Sequence, residues 1–228
     1  MPGNGSAWAR IPGWDSYDTF HRDLFLPLVP PPGRLTVEVG SGEGRVSRDL
    51  QAIGHRMLAV DLSEAMSRAA ATHPDRPVPA VVADATRLPV ATGAADCVVA
   101  FMSLHDIDHM PAAAAEIGRV LGAGGRLVLA IVHPVNSAGH FGGEKGDPGR
   151  PFVIDGSYLQ PWSYADAVER DGLTMTFHGR HRPLEGYTEA LADAGLVIER
   201  LREPTSPDPG TAWHRVPLFQ HILAVRQN

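Results

Sequence analysis

Apolar residues alternate along this chain between short continuous runs and stretches spaced three or four apart. Residues 35–39, Leu-Thr-Val-Glu-Val, predict a strand that ends at the cluster Gly40-Ser41-Gly42-Glu43-Gly44. Val46, Leu50 and Ile53 then fall at helical spacing, and Gly54 stops the helix over 45–53. The alternation repeats with a strand over 57–60 ending at Asp61, and a helix opening over 62–66 with Ser63 as its cap. A third strand over 78–82 ends in Ala83-Asp84-Ala85, and a fourth covers 96–102. The unbroken run 97–102 suits a strand covered on both faces. Pro111 opens a helix that ends near Gly122, and 126–132 is the fifth strand. Strands alternating with helices at this spacing predict an α/β fold around an open, mostly parallel sheet.

After His133 the rhythm breaks. Residues 136–172 are rich in glycine, proline and aromatics and carry no period, so the expectation is an insert that acts as a lid or binding loop. A strand over 173–182, a helix over 184–194 and strands over 196–201 and 217–226 follow, the last antiparallel to its predecessor.

Composition narrows the class. The 228 residues are 43% hydrophobic and 20% charged, which excludes a mainly disordered chain. The expectation is one domain over 1–228, with a lead at 1–34. Twenty basic against 26 acidic residues give a formal charge of −6, so no nucleic-acid partner is expected. The single cysteine, Cys97, lies in an apolar run and reads as inert core. No internal disulfide is possible, and residues 1–15 hold no apolar run for a signal peptide. No stretch nears ~18 apolar residues, so the chain reads as cytoplasmic with no membrane partner.

Glycines between a strand and a helix let a ligand approach the main chain closely. The spacing Glu38-x-Gly40-x-Gly42-x-Gly44 differs from the G-x-G-x-x-G dinucleotide fingerprint, which disfavours a nicotinamide dehydrogenase. Asp61, 19 residues after Gly42, stands where a carboxylate accepts both hydroxyls of a ribose. Asp84 ends the next strand, where a carboxylate can receive an adenine amine. In an open α/β sheet these strand ends share one crevice.

The segments VEVGSGEG, AVDLS, ADATRLP, ADCVVAFMSLHD and RVLGAGGRLVLA, in that order, resemble the successive motifs of class I S-adenosylmethionine (SAM)-dependent methyltransferases. The resemblance covers about 35–132. It implies a Rossmann-like three-layer sandwich whose seven-stranded, mostly parallel sheet has an antiparallel last strand. It implies SAM as cofactor, with Glu38, Gly40, Ser41 and Gly42 in the loop that meets its methionine part. Asp61 would bind the ribose, Leu62 and Met66 would lie beside the adenine, and Asp84 would take its amine with Ala85 adjacent. Main-chain groups near Phe101 and Met102 would hold the methionine amino group, and Tyr17 would close over the cofactor.

Methyl transfer needs an aligned nucleophile, and a base where that nucleophile carries a proton. His105, after the fourth strand, is the candidate base or orienting partner. His133, Tyr158, Trp162, His178 and Arg182 are candidate contacts for a small-molecule acceptor, methylated on oxygen or nitrogen. Asp106, Asp108 and Glu116 read as a solvated face. The spacing His105-Asp-Ile-Asp-His109 is similar to a zinc helix, but it extends a strand into a loop, so no metal is expected. The alanine, proline and arginine content suggests a high-GC bacterial genome and a role in specialised metabolism. RNA or protein methylation is the alternative enzyme reading, opposed by the net charge and by Phe101-Met102-Ser103-Leu104 where an Asn/Asp-Pro-Pro-aromatic motif would stand. A SAM-binding module without methyl transfer is the alternative from another class.

Overall fold

The computed structural model describes residues 15–170 and 172–227; the segment read for a signal peptide lies almost wholly outside them. Seven strands form the main sheet: β1 (Thr36–Val39), β2 (Met57–Asp61), β3 (Ala80–Val82), β4 (Ala95–Phe101), β5 (Leu121–Val132), β10 (Leu196–Arg202) and β11 (Phe219–Arg226). Their order is β3-β2-β1-β4-β5-β11-β10. β11 runs antiparallel to both β5 and β10, and the remaining pairs are parallel. The expected α/β architecture is therefore present.

Side chains alternate across this sheet, so each strand feeds two cores. Val37, Val39, Val98, Ala100, Leu127, Leu129 and Ile131 pack on one face. There they meet α4 (Met110–Val120) and α6 (Leu184–Asp193), through Ile117, Tyr187 and Leu191. Met57, Ala59, Cys97, Val99, Val128 and Ala130 pack on the other, against α1 (Arg22–Phe25) and α2 (Arg45–Ala52). Continuous apolar runs such as Cys97–Phe101 are the sequence form of a strand buried on both faces.

The chain passes from β1 outward to β3, then returns to place β4 beside β1 on its other side. The parallel neighbours β1 and β4 thus open a crevice at their carboxyl ends, the switch point at which ligands bind in such sheets. The helix α3 (Glu64–Ala71) begins at Ser63, whose Oγ accepts from the Met66 amide at 3.4 Å.

Three features differ from the sequence expectation. β5 begins at Leu121 and not at 126, because Leu121 pairs with Ala95 ahead of a register shift. Residues 140–153 are tied down and not a free loop. There β6 (His140–Phe141) pairs with β7 (Phe152–Val153), Phe141 meets Trp213 edge-on at 4.7 Å, and Arg215 donates to the carbonyls of Pro148 and Arg150. Residues 162–170 form β8 (Trp162–Arg170), antiparallel to β9 (Leu173–His181) with Arg170 opposite Leu173. The Asp-Gly pair at 171–172 is a strong two-residue hairpin signal, and Gly172 takes the positive φ of 75° that such turns need.

The contact between α4 and α6 depends on a missing side chain. A Cβ on Gly118 would lie 2.4 Å from the Ala194 carbonyl oxygen. Gly118→Ala is expected to destabilise the protein by about 1–3 kcal/mol through forced separation of the two helices. A lowered urea midpoint with an unchanged m-value measures it; an unchanged midpoint would contradict this packing.

Candidate active site

A cavity of about 470 Å³ lies over the carboxyl ends of β1, β2 and β4. That is within the range of roughly 300–1,000 Å³ for small-molecule sites. Gly40 and Gly42 form one wall, Asp61 and Leu62 the next, and Asp84, Ala85 and Thr86 a third. Met102 and Ser103 continue from β4, and Asp106, Ile107, Asp108 and His109 complete the lining.

The glycine loop takes its shape from positions where a side chain does not fit. Gly40 has φ 68°, and a Cβ there would come 2.4 Å from the Ser103 Cβ. Ser103 Oγ donates to the Val39 carbonyl at 2.6 Å, so the ends of β1 and β4 are tied across the switch point. Gly42 has φ 54° and nothing within 4 Å of the place its Cβ would occupy. It borders open space on the cavity side. Met102 has φ 51°, in the left-handed region that few non-glycine residues adopt, while its amide donates to the Ala130 carbonyl at 2.8 Å.

The two sequence-predicted carboxylates stand on this wall. Asp61 Oδ2 accepts from the Gly42 amide at 2.7 Å and Oδ1 from the Ser63 amide at 2.8 Å. Each oxygen keeps a second lone pair, so a diol can still be received. Asp84 Oδ1 accepts from the Thr86 amide and hydroxyl, both at 2.8 Å, and these bonds hold its carboxyl below the ordinary range. Leu62 is 72% exposed, an apolar surface at the cavity edge that a flat ring could cover. Ribose, adenine and main-chain-bonded methionine all have matching groups here. The residues fit SAM.

Other predicted residues are placed elsewhere. Tyr17 is buried against the edge of Phe101, and its hydroxyl donates to Asp49 at 2.8 Å. It belongs to the core under α2, not to the cavity lining, as does the Phe101 ring. Glu38 is buried beneath the loop and accepts from Ser47 Oγ, and Ser41 is buried beside it in sequence. Met66 stands on α3 behind Leu62 and does not line the cavity.

The acceptor candidates all lie off the cavity lining. His105 is buried, does not line the cavity, and its Nδ1 has no partner. Burial pushes its imidazole down to about 4, with the Arg182 charge adding to the effect. His133 caps α5 (Pro134–Ala138), taking the Val135 amide on Nδ1, with Glu203 at 2.9 Å from Nε2. Tyr158 accepts from the Leu184 amide and Trp162 packs near His181, while His178 is exposed opposite Ala165 on the hairpin. Arg182 is buried and bonds backbone carbonyls. Asp106, read as part of a solvated face, lines the cavity with its side chain 48% exposed, and partial burial raises its carboxyl to about 6. Among the described residues no group of three or more His, Cys, Asp or Glu could hold a metal ion, and no helix is long and apolar enough to cross a membrane.

Comparison with known proteins agrees with this geometry. Residues 37–129 match the family model for a methyltransferase domain. A demethylmenaquinone methyltransferase of Mycolicibacterium paratuberculosis is 36% identical over 98 residues, 43% of this chain and 41% of that protein. One from Beutenbergia cavernae is 38% identical over 100 residues, again 43% and 41%. The aligned stretch thus spans less than half of these relatives. A SAM-dependent methyltransferase of Mesorhizobium loti superposes with a TM-score of 0.73 at 23% identity, covering 90% of this chain and 96% of that one. The chain has the fold of solved SAM-dependent methyltransferases, and its residues 37–129 match the methyltransferase-domain model.

Glu38 yields a pH prediction. Burial raises its carboxyl from 4.5 to about 8, against the Ser47 hydrogen bond. The folded state therefore holds a proton that the unfolded state has released, and this stabilisation is lost as pH rises between these values. Glu38→Gln is expected to flatten the fall of Tm across pH 4.5–8. Parallel curves for the two proteins would show that Glu38 is ionised in the fold.

Proposed function

We propose that this protein transfers the methyl group of SAM to a small-molecule acceptor, on oxygen or nitrogen. The observation that carries the reading is the convergence of Gly42, Asp61, Leu62, Asp84 and the end of β4 on one cavity. The sulfonium supplies an activated methyl group, so the protein's work is to bind, align and exclude water. Asp61 and the glycine loop hold the ribose and methionine ends, Leu62 and Asp84 the adenine, and Met102 and Ser103 bring the β4 end to the transferring group. Dehydrogenase chemistry has no comparable support, because the loop lacks the third glycine at the dinucleotide spacing.

The relatives named for demethylmenaquinone align with 43% of this chain. A quinol-like ring is therefore one member of the acceptor panel and not the conclusion. A small molecule is supported by the cavity's volume of about 470 Å³ and by the net charge of −6, which opposes a nucleic-acid substrate. A role in bacterial specialised metabolism is the setting this reading suggests.

Two measurements test it. The purified chain should bind SAM by calorimetry, and mass spectrometry should find S-adenosylhomocysteine when acceptors are added. Asp61→Ala is expected to weaken SAM binding about 10–100-fold, because it removes a charged acceptor and frees the Gly42 and Ser63 amides. Circular dichroism should show the variant folded. Wild-type affinity in a folded Asp61→Ala protein would refute the cofactor assignment.

A further inference from the structure

The loop after β4 brings Asp106, Ile107, Asp108 and His109 to the cavity, yet its only regular structure is one tight turn at Leu104–Asp106. A buried side chain just after β9 gathers its backbone. Arg182 Nη1 donates to the His105 carbonyl at 2.8 Å, and Nη2 donates to those of Ile107 at 2.5 Å and Asp108 at 3.2 Å. A guanidinium fork matched to three carbonyl groups within four residues fixes the path of the backbone, which an ammonium would do less well. Arg182 has no ion pair with a carboxylate among the described residues, and a buried cation without one is costly. Its charge acts instead on Asp106, whose carboxyl it lowers while burial raises it.

Asp106 differs from the other carboxylates around the cavity. Asp108 is paired with Arg180 at 3.2 Å, and Asp61 accepts backbone amides on both oxygens. Asp84 is engaged by Thr86 and stands next to His109, on the side read as adenine. Among the described residues the Asp106 carboxyl pairs only with the His105 imidazole, Nε2 at 3.5 Å, and its amide donates to the Ser103 carbonyl after β4. Tyr187, the remaining titratable neighbour, lies beside Arg182 with its phenol pushed up to about 12. The cavity lining contains four aspartates and no lysine or arginine. An anionic acceptor would be repelled by it.

Resting on the methyl-transfer reading above, we infer that Asp106 receives the acceptor's proton and that Arg182 is the positioning residue that holds it at the cavity wall. The acceptor is then an alcohol, phenol or amine with a proton to lose, and not a preformed anion. In the step, a lone pair on the acceptor atom forms the new bond to the methyl carbon. The carbon–sulfur bond breaks with its electron pair left on sulfur. The O–H or N–H proton passes to an Asp106 oxygen and leaves to solvent after product release.

The test compares Asp106→Asn, Arg182→Gln and Arg182→Lys with the wild type. Asp106→Asn should lower kcat at least ~10²-fold and abolish its rise near pH 6, with SAM affinity by calorimetry unchanged. Arg182→Gln should raise the acceptor KM and shift the pH midpoint upward, because the cation that favours the carboxylate is gone. Arg182→Lys keeps the charge but not the fork, so the midpoint should stay while KM remains raised. Carbon-detected NMR of the Asp106 carboxyl in the free protein gives a readout independent of turnover. It should titrate near 6 in the wild type and Arg182→Lys, and higher in Arg182→Gln. Wild-type kcat and pH profile in Asp106→Asn, or an Asp106 titration that Arg182→Gln leaves unmoved, would overturn the proposal. Failure of the wild type to bind SAM would instead sink the methyl-transfer reading, while the NMR arm still judges the Arg182–Asp106 link.

Discussion

The Asp61 carboxylate is the interaction on which the cavity depends. It ends β2, receives the Gly42 amide on one oxygen and the Ser63 amide on the other, and so ties three elements together. The glycine loop otherwise takes positive φ at every second residue, Gly40, Gly42 and Gly44. Charge-assisted hydrogen bonds are among the stronger fixings available to such a loop, and this one also satisfies an orphan amide at the start of α3. The group that shapes the loop keeps a second lone pair on each oxygen, so under the proposed function structural and binding roles share one side chain.

A second, opposite-signed arrangement shapes the far wall. Arg182 works from inside the protein on backbone carbonyls, and the loop it secures presents acidic side chains outward. One wall is thus set by a carboxylate gathering amides and the other by a guanidinium gathering carbonyls. Both use buried or half-buried charge to order irregular backbone near a crevice, where helices and strands end and their own ladders cannot reach.

The parts legible in sequence were those written in local pattern. The mostly parallel α/β sheet followed from the βα alternation, and Asp61 and Asp84 could be placed on one crevice because strand ends in such a sheet converge. The misplacements have a common cause: they turned on which way a side chain faces outside regular structure. His105 and Asp106 are adjacent, and the tight turn at Leu104–Asp106 sends the carboxylate to the cavity and the imidazole inward. His133 lies after a strand end, as a crevice residue would, but the start of α5 claims it as a cap. β8 was missed for another reason, since the Asp-Gly signal was present at 171–172 but the polar alternation before it obscured the strand.

Met102 has a consequence for any attempt to make this protein more robust. A left-handed backbone at a residue with a side chain costs of order 1–3 kcal/mol, and here it sits where β4 meets the cavity. Selection for heat resistance would find relief of that strain, for instance by glycine, an easy gain. Such a gain would come from the segment that the proposed function sets against the transferring group, where a looser backbone spoils alignment. Thermal hardening of this chain and preservation of its chemistry therefore pull against each other at this residue, and stabilising changes belong in the helix contacts instead.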